Sequence, residues 1–274
     1  MKAFLLAAGL GTRLRPLTNN IPKCMVPISG KPLFHWWFSL LSKHGITDVL
    51  INLHHLKENI IDYVGNLGAK VEGLNFELKT SPLRRRMQRI HKEYTLPNIA
   101  LFYEQELLGS AGTIRANADW TQGEKEFLIA YADNLTNANL TKLFHFHQKC
   151  NPILTMGLFH SDYPQACGIA SLNENGLVVD FVEKPQKPQS DLANAGIYVA
   201  SPSLIDYIPE GKVVDLGHDV LPSLVGKIYG CVIDGYLRDI GTSENYRKAQ
   251  REWREIQTDT DAGIKMVKCQ IHKT

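Results

Sequence analysis

No Asp or Glu precedes Asp48 in this chain of 274 residues, yet Arg13, Arg15 and Lys23 fall inside that stretch. Nothing nearby in sequence neutralises them, so the segment that carries them is suited to an anion. Cysteine is scarce and scattered: Cys24, Cys150, Cys167, Cys231 and Cys269 are odd in number and form no Cys-x-x-Cys pair. That pattern excludes a disulfide framework and a zinc site, and it fits a reducing cytosol. Long apolar runs are missing as well. The run after Lys2 stops at Gly9, which is strand length and too short for a signal peptide or a membrane span. The expectation is a soluble, cytoplasmic protein with no membrane partner. A net charge of only +2 creates no field that calls for nucleic acid. No internal repeat, low-complexity segment or interdomain linker is present.

What is there begins with the opening stretch. Ala3 to Ala7 reads as a buried strand, and it empties into Gly9-Leu10-Gly11-Thr12-Arg13. Two glycines without a Cβ let backbone N–H groups approach a phosphate. Two commoner phosphate loops are excluded. A dinucleotide fingerprint needs a third glycine where Leu14 stands, and an acidic residue about 20 positions on. A P-loop fails at Gly30-Lys31, which has Met25 at its first position and Pro32 after the lysine.

Further along, Lys31 to His44 has Leu33, Trp36, Trp37, Leu40 and Leu41 at helical spacing, and both tryptophans read as core. Asp48 to Leu53 reads as a strand, Leu56 to Leu67 as a helix, and Phe76 to Leu78 as the next strand. The dense basic run Arg84 to Arg89 reads as the solvated face of an insertion. Ile99 to Tyr103 is a strand, followed by a second glycine loop from Glu104 to Gly112 and a helix to Trp120. Phe127 to Ala132 is a strand that ends on Asp133, the edge where open α/β sheets bind ligands. The pairs His54-His55 and His145/His147 do not share a face and are set aside as metal ligands. A hairpin around Asn173 to Gly176 ends on Glu183-Lys184-Pro185, and Asp239-Ile240-Gly241-Thr242 opens a last helix ending near Ile256. The tail from Thr258 shows no period. Alternating strands and helices followed by a hairpin imply one layered α/β domain.

The opening stretch resembles the signature of the sugar-phosphate nucleotidyltransferases, G-x-G-T-R-x-x-P-L-T followed by P-K-x-x-x-P-I-x-G-K-P. The second half stands here as Pro22 to Pro32. The likeness runs from Met1 to about Ile256. It implies a Rossmann-like three-layer α/β domain with a mixed, mostly parallel central sheet, the nucleotide-diphospho-sugar transferase fold. That domain would span residues 1–257, with 1–150 mainly binding nucleotide, 151–257 mainly binding sugar phosphate, and 258–274 left as a tail.

By the same resemblance, Leu6, Ala8, Gly9, Gly11 and Thr12 wrap the nucleotide, Arg13 takes β/γ oxygens, and Lys23 bridges phosphates near the reacting centre. Arg15 is either a further phosphate ligand or a structural ion-pair partner. Asp133 and Asp239 together bind Mg²⁺, the implied cofactor. Glu104 and the Gly109 N–H meet the base edge, and a carboxylate there suits guanine. Lys184 neutralises the attacking phosphate, Glu183 accepts sugar hydroxyls, and Gly168, Asn194 and Tyr198 line the sugar pocket. Cys167 stands where relatives commonly carry an aromatic, which leaves the sugar open.

The implied reaction joins a nucleoside triphosphate to a sugar 1-phosphate and releases pyrophosphate, with GTP and a manno- or heptose-type 1-phosphate as the first pair. Glucose 1-phosphate with dTTP or UTP is the alternative, as is CTP with a phosphocholine-like acceptor. A non-catalytic nucleotide-sugar sensor on the same fold is the reading outside enzymes. Self-association into a homo-oligomer is compatible with all of these.

Overall fold

The run behind the glycine loop forms strand β1 (Lys2–Leu6), in which Ala3, Phe4 and Leu5 are fully buried. A strand apolar on both faces belongs inside a parallel sheet covered on both sides. The computed structural model describes residues 1–78 and 94–271, without the side chains of 259–271. The basic run Arg84 to Arg89 therefore lies outside the described residues.

After β1 come a two-stranded ribbon, β2 (Pro27–Ile28) and β3 (Lys31–Pro32), then α1 (Leu33–Lys43), β4 (Asp48–Leu53) and α2 (Lys57–Asn66). Next are β5 (Val71–Gly73), β6 (Asn98–Tyr103), α3 (Ser110–Ala116), β7 (Phe127–Tyr131), β8 (Asn134–Thr136) and α4 (Leu140–Cys150). The second half carries β9 (Leu154–His160), β10 (Gly168–Leu172), β11 (Val178–Glu183), β12 (Leu192–Ala200), β13 (Tyr229–Val232), β14 (Leu237–Asp239) and α5 (Ser243–Ile271).

The main sheet runs β11-β10-β12-β7-β1-β4-β6-β5, with β9 beside β12 and β13 beside β9. From β7 to β5 every pairing is parallel, and β12 joins β7 antiparallel. The sheet is thus mixed and mostly parallel on the nucleotide side, as expected. Helices α1, α2, α4 and α5 cover one face through Trp37, Val64, Leu143 and Trp253. Helix α3 and the segment after β12 cover the other through Ile114, Leu204, Leu216 and Val220. Both tryptophans of α1 are core. Trp37 is buried, and Trp36 meets the Trp253 ring at 5.4 Å while its indole N–H donates to the Ile28 carbonyl at 3.1 Å.

Two expectations fail. Phe76 to Leu78 is not a strand; the pairing belongs to β5, just before it. The Asn75 side chain takes both the Tyr103 N–H and the Tyr103 carbonyl at 2.8 Å, so the chain folds over instead of extending the sheet. Helix α5 does not stop near Ile256 but continues to Ile271. The segment from Thr258 contains no proline and one glycine, Gly263, so no stop signal stands there; the polar stretch Gln257 to Asp261 interrupts the apolar spacing and hid the helix.

His147 on α4 is buried, with its Nδ1 3.0 Å from Thr155 Oγ1. Burial holds its pKa below the usual value, opposed in part by Glu126. The unfolded chain takes up that proton first as pH falls, so the contribution is complete above about pH 6.5 and is lost on acidification below it. His44, lowered by its own burial and by Lys43, acts in the same direction. We expect urea midpoints to fall from pH 7 to pH 5.5, with one such group worth at most about 1.4 kcal/mol per pH unit. His147→Gln makes that decline shallower. An unchanged slope in the variant rules His147 out as a contributor.

Candidate active site

Three elements build the site, the first two at the carboxyl ends of β1 and β7, the edge of a parallel sheet where ligands bind. The first is the glycine loop. The Ala7 N–H donates to Asn52 Oδ1 at 2.6 Å, which fixes where the chain leaves the sheet. Gly11 has φ +64°, and a Cβ there would sit 3.3 Å from Thr18, whose hydroxyl donates to the Gly11 carbonyl at 2.7 Å. Gly9 is exposed with open space around its Cα, leaving the crest of the loop free for a ligand. The turn Thr12–Leu14 follows and carries Arg13 to the cleft.

The second element is an ammonium between two carboxylates. Lys23 is buried, and its Nζ donates to Asp133 Oδ2 at 2.5 Å and to Asp239 Oδ1 at 3.1 Å. The two aspartates, far apart in sequence, are brought together by β8 and β14. These strands pair antiparallel with Asp239 opposite Asn134, and the Ile240 N–H donates to the Asp133 carbonyl at 2.9 Å. Arg238 Nε to Glu252 at 2.8 Å anchors β14 to α5. Burial pushes the Lys23 pKa down, but both carboxylates outweigh it and the net shift is upward. Burial also raises the Asp239 carboxyl, helped by the Asp133 charge and opposed by Lys23 and Arg13. Lys23 uses two of its three N–H donors on these bonds, and one remains for a phosphate oxygen.

The third element is the hairpin β10–β11, whose register sets Gly168 opposite Glu183. A Cβ on Gly168 would lie 2.5 Å from the Phe181 ring and 2.6 Å from Glu183 Oε2, so only glycine leaves room for that carboxylate. Lys184 has φ +47°, a backbone that non-glycine residues rarely adopt, and its N–H donates to the Cys167 carbonyl at 3.1 Å. Its Nζ lies 3.1 Å from Glu183 Oε1. Asn194 sits at the irregularity in β12, where its Oδ1 accepts from Gly196 N–H at 3.0 Å and its Nδ2 donates to Tyr198 OH at 2.6 Å.

Arg13, Asp133, Asp239, Glu183, Lys184 and Asn194 all line one cleft of about 800 Å³, together with Gly168. The cations Arg13 and Lys184 and the aspartate pair thus share one cleft. Two expected contact residues are buried. Tyr198 is fully buried and does not line the cleft; it accepts from the Asn194 amide. Glu104 is 2 % exposed, with its carboxylate on protein donors. Its Oε1 accepts from Asn52 Nδ2 at 2.7 Å and from Thr113 Oγ1 at 2.5 Å, and its Oε2 accepts from the Leu108 N–H at 3.0 Å. Glu104 therefore shapes the loop that carries Gly109, where φ is +77° and a Cβ would lie 2.4 Å from the Val214 carbonyl oxygen.

Asn52 is the residue that the sequence reading missed. It joins the glycine loop, through Ala7, to the Glu104 loop. The signal was present: one amide inside the apolar run Val49 to Leu53 needs a buried partner.

The model of the nucleotidyl transferase family matches residues 2–255. The chain belongs to that family. A UTP–glucose-1-phosphate uridylyltransferase of Synechocystis is 31% identical over 97% of this chain and 67% of its own length. A mannose-1-phosphate guanylyltransferase of Mycobacterium tuberculosis is 32% identical over 89% and 62%. A D-glycero-alpha-D-manno-heptose 1-phosphate guanylyltransferase of Aneurinibacillus thermoaerophilus is 30% identical over 92% and 98%. The chain thus spans about two thirds of the first two relatives and nearly all of the third. Among solved structures, HddC of Yersinia pseudotuberculosis complexed with GMP-PN aligns with a TM-score of 0.68 at 25% identity, over 92% of this nucleotidyl transferase and 99% of that chain. No described helix of this family member is long and apolar enough to cross a membrane.

Proposed function

We propose that this chain transfers a nucleotidyl group from an NTP to a sugar 1-phosphate, giving an NDP-sugar and pyrophosphate. The observation that carries the reading is the cleft itself. Arg13, Glu183 and Lys184 line it together with Asp133 and Asp239, and the Lys23 ammonium is bonded to both aspartates. An oxygen of the acceptor phosphate attacks the α-phosphorus, and the bond from that phosphorus to the β-phosphate oxygen breaks. No covalent enzyme intermediate forms. Arg13 neutralises the departing pyrophosphate, Lys184 holds the acceptor phosphate, and Lys23 offers its third N–H to a phosphate oxygen near the reacting centre. Catalysis of this kind is positioning and electrostatic stabilisation.

A divalent metal fits the residues present. Asp133 and Asp239 offer hard anionic oxygens already gathered on one cation, and a second positive charge would relieve the raised Asp239 carboxyl. Two carboxylates suit Mg²⁺, an ion held by one or two carboxylates plus phosphates and water. Mg²⁺ on this pair would supply charge neutralisation of the triphosphate.

For the substrates we favour GTP with a manno- or heptose-type 1-phosphate, because guanylyltransferases of such sugars match about nine tenths of this chain, and the heptose 1-phosphate enzyme does so over 98% of its own length. UTP or dTTP with glucose 1-phosphate is the second reading, favoured by the similarity to a uridylyltransferase. Pyrophosphate release with Mg²⁺ over five NTPs, a panel of sugar 1-phosphates and phosphocholine tests both. One active pair, lost in Asp133→Asn by about 10²-fold or more, is the expected result. Nucleotide binding with no turnover for any pair points to a sensor and overturns the enzyme reading.

A further inference from the structure

Beside Glu183 the cleft holds a further polar side chain, which neither the sequence pattern nor the reading above assigns. Asp215 lines the cleft and is exposed. Its Oδ2 accepts from Ser110 Oγ at 2.9 Å, and its Oδ1 accepts from the His218 N–H at 3.0 Å. Each oxygen keeps capacity for a further donor.

The segment around Asp215 is clamped to the nucleotide half of the chain. Val214 N–H donates to the Leu108 carbonyl at 2.8 Å, and the Val214 carbonyl accepts from Ala111 N–H and Gly112 N–H at 3.0 Å each. Leu216 N–H donates to Ser110 Oγ at 2.7 Å, the hydroxyl that in turn donates to Asp215. The carboxylate is therefore oriented before any ligand arrives, and preorganisation of this kind makes a recognition group selective.

Its direction follows from Gly217. A Cβ on Gly217 would lie 3.1 Å from Glu183 Oε2 and 3.3 Å from Asp215 Oδ1. The missing side chain leaves both carboxylates facing the same space, on either side of a bare backbone. Lys184 balances Glu183, whereas the His218 ring turns to Asp219 at 2.8 Å. Two acceptor-only groups this close are best satisfied by a ligand that brings several hydrogen-bond donors. A sugar ring does so with adjacent hydroxyls. A quaternary ammonium brings none.

We propose that Asp215 is a specificity residue of the acceptor site, accepting hydrogen bonds from sugar hydroxyls beside Glu183. This rests on the sugar 1-phosphate reading above. Ser110 is the positioning residue that sets its orientation.

The test uses the full chain with its productive NTP and sugar 1-phosphate. Asp215→Ala should lower kcat/KM for the acceptor by roughly 10- to 100-fold, the scale of a hydrogen bond to a charged group, while KM for the NTP stays within about twofold. The isosteric Asp215→Asn should fall between the two. Ser110→Ala should raise KM for the acceptor less than Asp215→Ala does. Monodeoxy sugar 1-phosphates supply the decisive comparison. The wild-type protein should reject the analogue lacking the recognised hydroxyl, and Asp215→Ala should handle it no worse than the parent sugar. Thermal melts check that both Asp215 variants fold.

A folded Asp215→Ala that raises KM for the NTP but not for the acceptor assigns Asp215 to the loop clamp alone and overturns the proposal. Equal discrimination against every deoxy analogue in wild type and variant does the same. Calorimetric titration of sugar 1-phosphates into the nucleotide-bound protein separates the two levels. If the wild type neither binds nor turns over any of them, the sugar 1-phosphate reading falls and this proposal with it. If it does and Asp215→Ala behaves as wild type, only this proposal falls.

Discussion

Lys23→Met is expected to lower turnover by about 10³-fold while leaving the fold in place. The loss follows from position. The ammonium is the group bonded to both Asp133 and Asp239, and its remaining donor is the one available for phosphate. Methionine keeps the length and apolar stem of the buried side chain, so the surrounding packing survives. The two carboxylates remain about two-fifths exposed and can hydrate, which limits the cost to stability to about 1–2 kcal/mol. The charge lost is also one that holds the Asp239 carboxyl down, so that carboxyl should rise further in the variant. Arginine should not rescue, because a planar guanidinium does not fit where a compact ammonium is enclosed. Steady-state pyrophosphate release and a thermal melt together check this. A melt shifted downward by tens of degrees, or turnover within tenfold of the parent, would contradict it.

Glu104→Leu should act on the other end of the nucleotide site, and mainly through structure. Removing the carboxylate leaves the buried Asn52 Nδ2 short of its strongest acceptor and the half-buried Leu108 N–H without one. Thr113 can turn to the Gly109 carbonyl at 3.0 Å, so its hydroxyl is spared. Orphaned buried donors cost about 1–3 kcal/mol each, which puts the expected destabilisation at about 2–5 kcal/mol. The loop that carries Gly109 then loses its anchor, and KM for the NTP should rise by about tenfold or more while KM for the acceptor changes little. Glu104→Gln is the sharper probe. It keeps one acceptor oxygen but turns an amide N–H toward either Leu108 or the Asn52 and Thr113 donors. A stability loss of about 1–3 kcal/mol with the same bias toward the NTP is expected. Chemical denaturation and a two-substrate kinetic matrix measure both variants. An unaltered KM for the NTP with normal stability would return Glu104 to direct contact with the ligand or to no role.

Much of this was legible because local chemistry demanded it. Gly11 must adopt a positive φ, and Gly168 must leave room for Glu183, so neither residue type was free. The apolar runs of β1, β4 and β7 announced a parallel sheet buried on both faces, and Asp133 at the end of β7 followed from that topology. Helix α5 beyond Ile256 was not legible, because the polar stretch Gln257 to Asp261 interrupts its apolar spacing. Nor was the short strand β5, because the asparagine that replaces backbone pairing at Tyr103 resembles any other loop residue.

By itself, the sequence determined the glycine- and cation-bearing opening, most of the order of strands and helices, the family, and residue types of the cleft, since all of these rest on spacing and on local backbone preference. Tertiary structure alone decided which polar groups reach the cleft. Glu104 and Tyr198 turned inward while Asp215 turned out, and Asn52 came to tie two loops together. The reason is that burial and hydrogen-bond partnership are properties of segments far apart in the chain. Asp133 meets Asp239 only because β8 pairs with β14, and Asp215 meets Ser110 only because the segment after β12 returns to the start of α3.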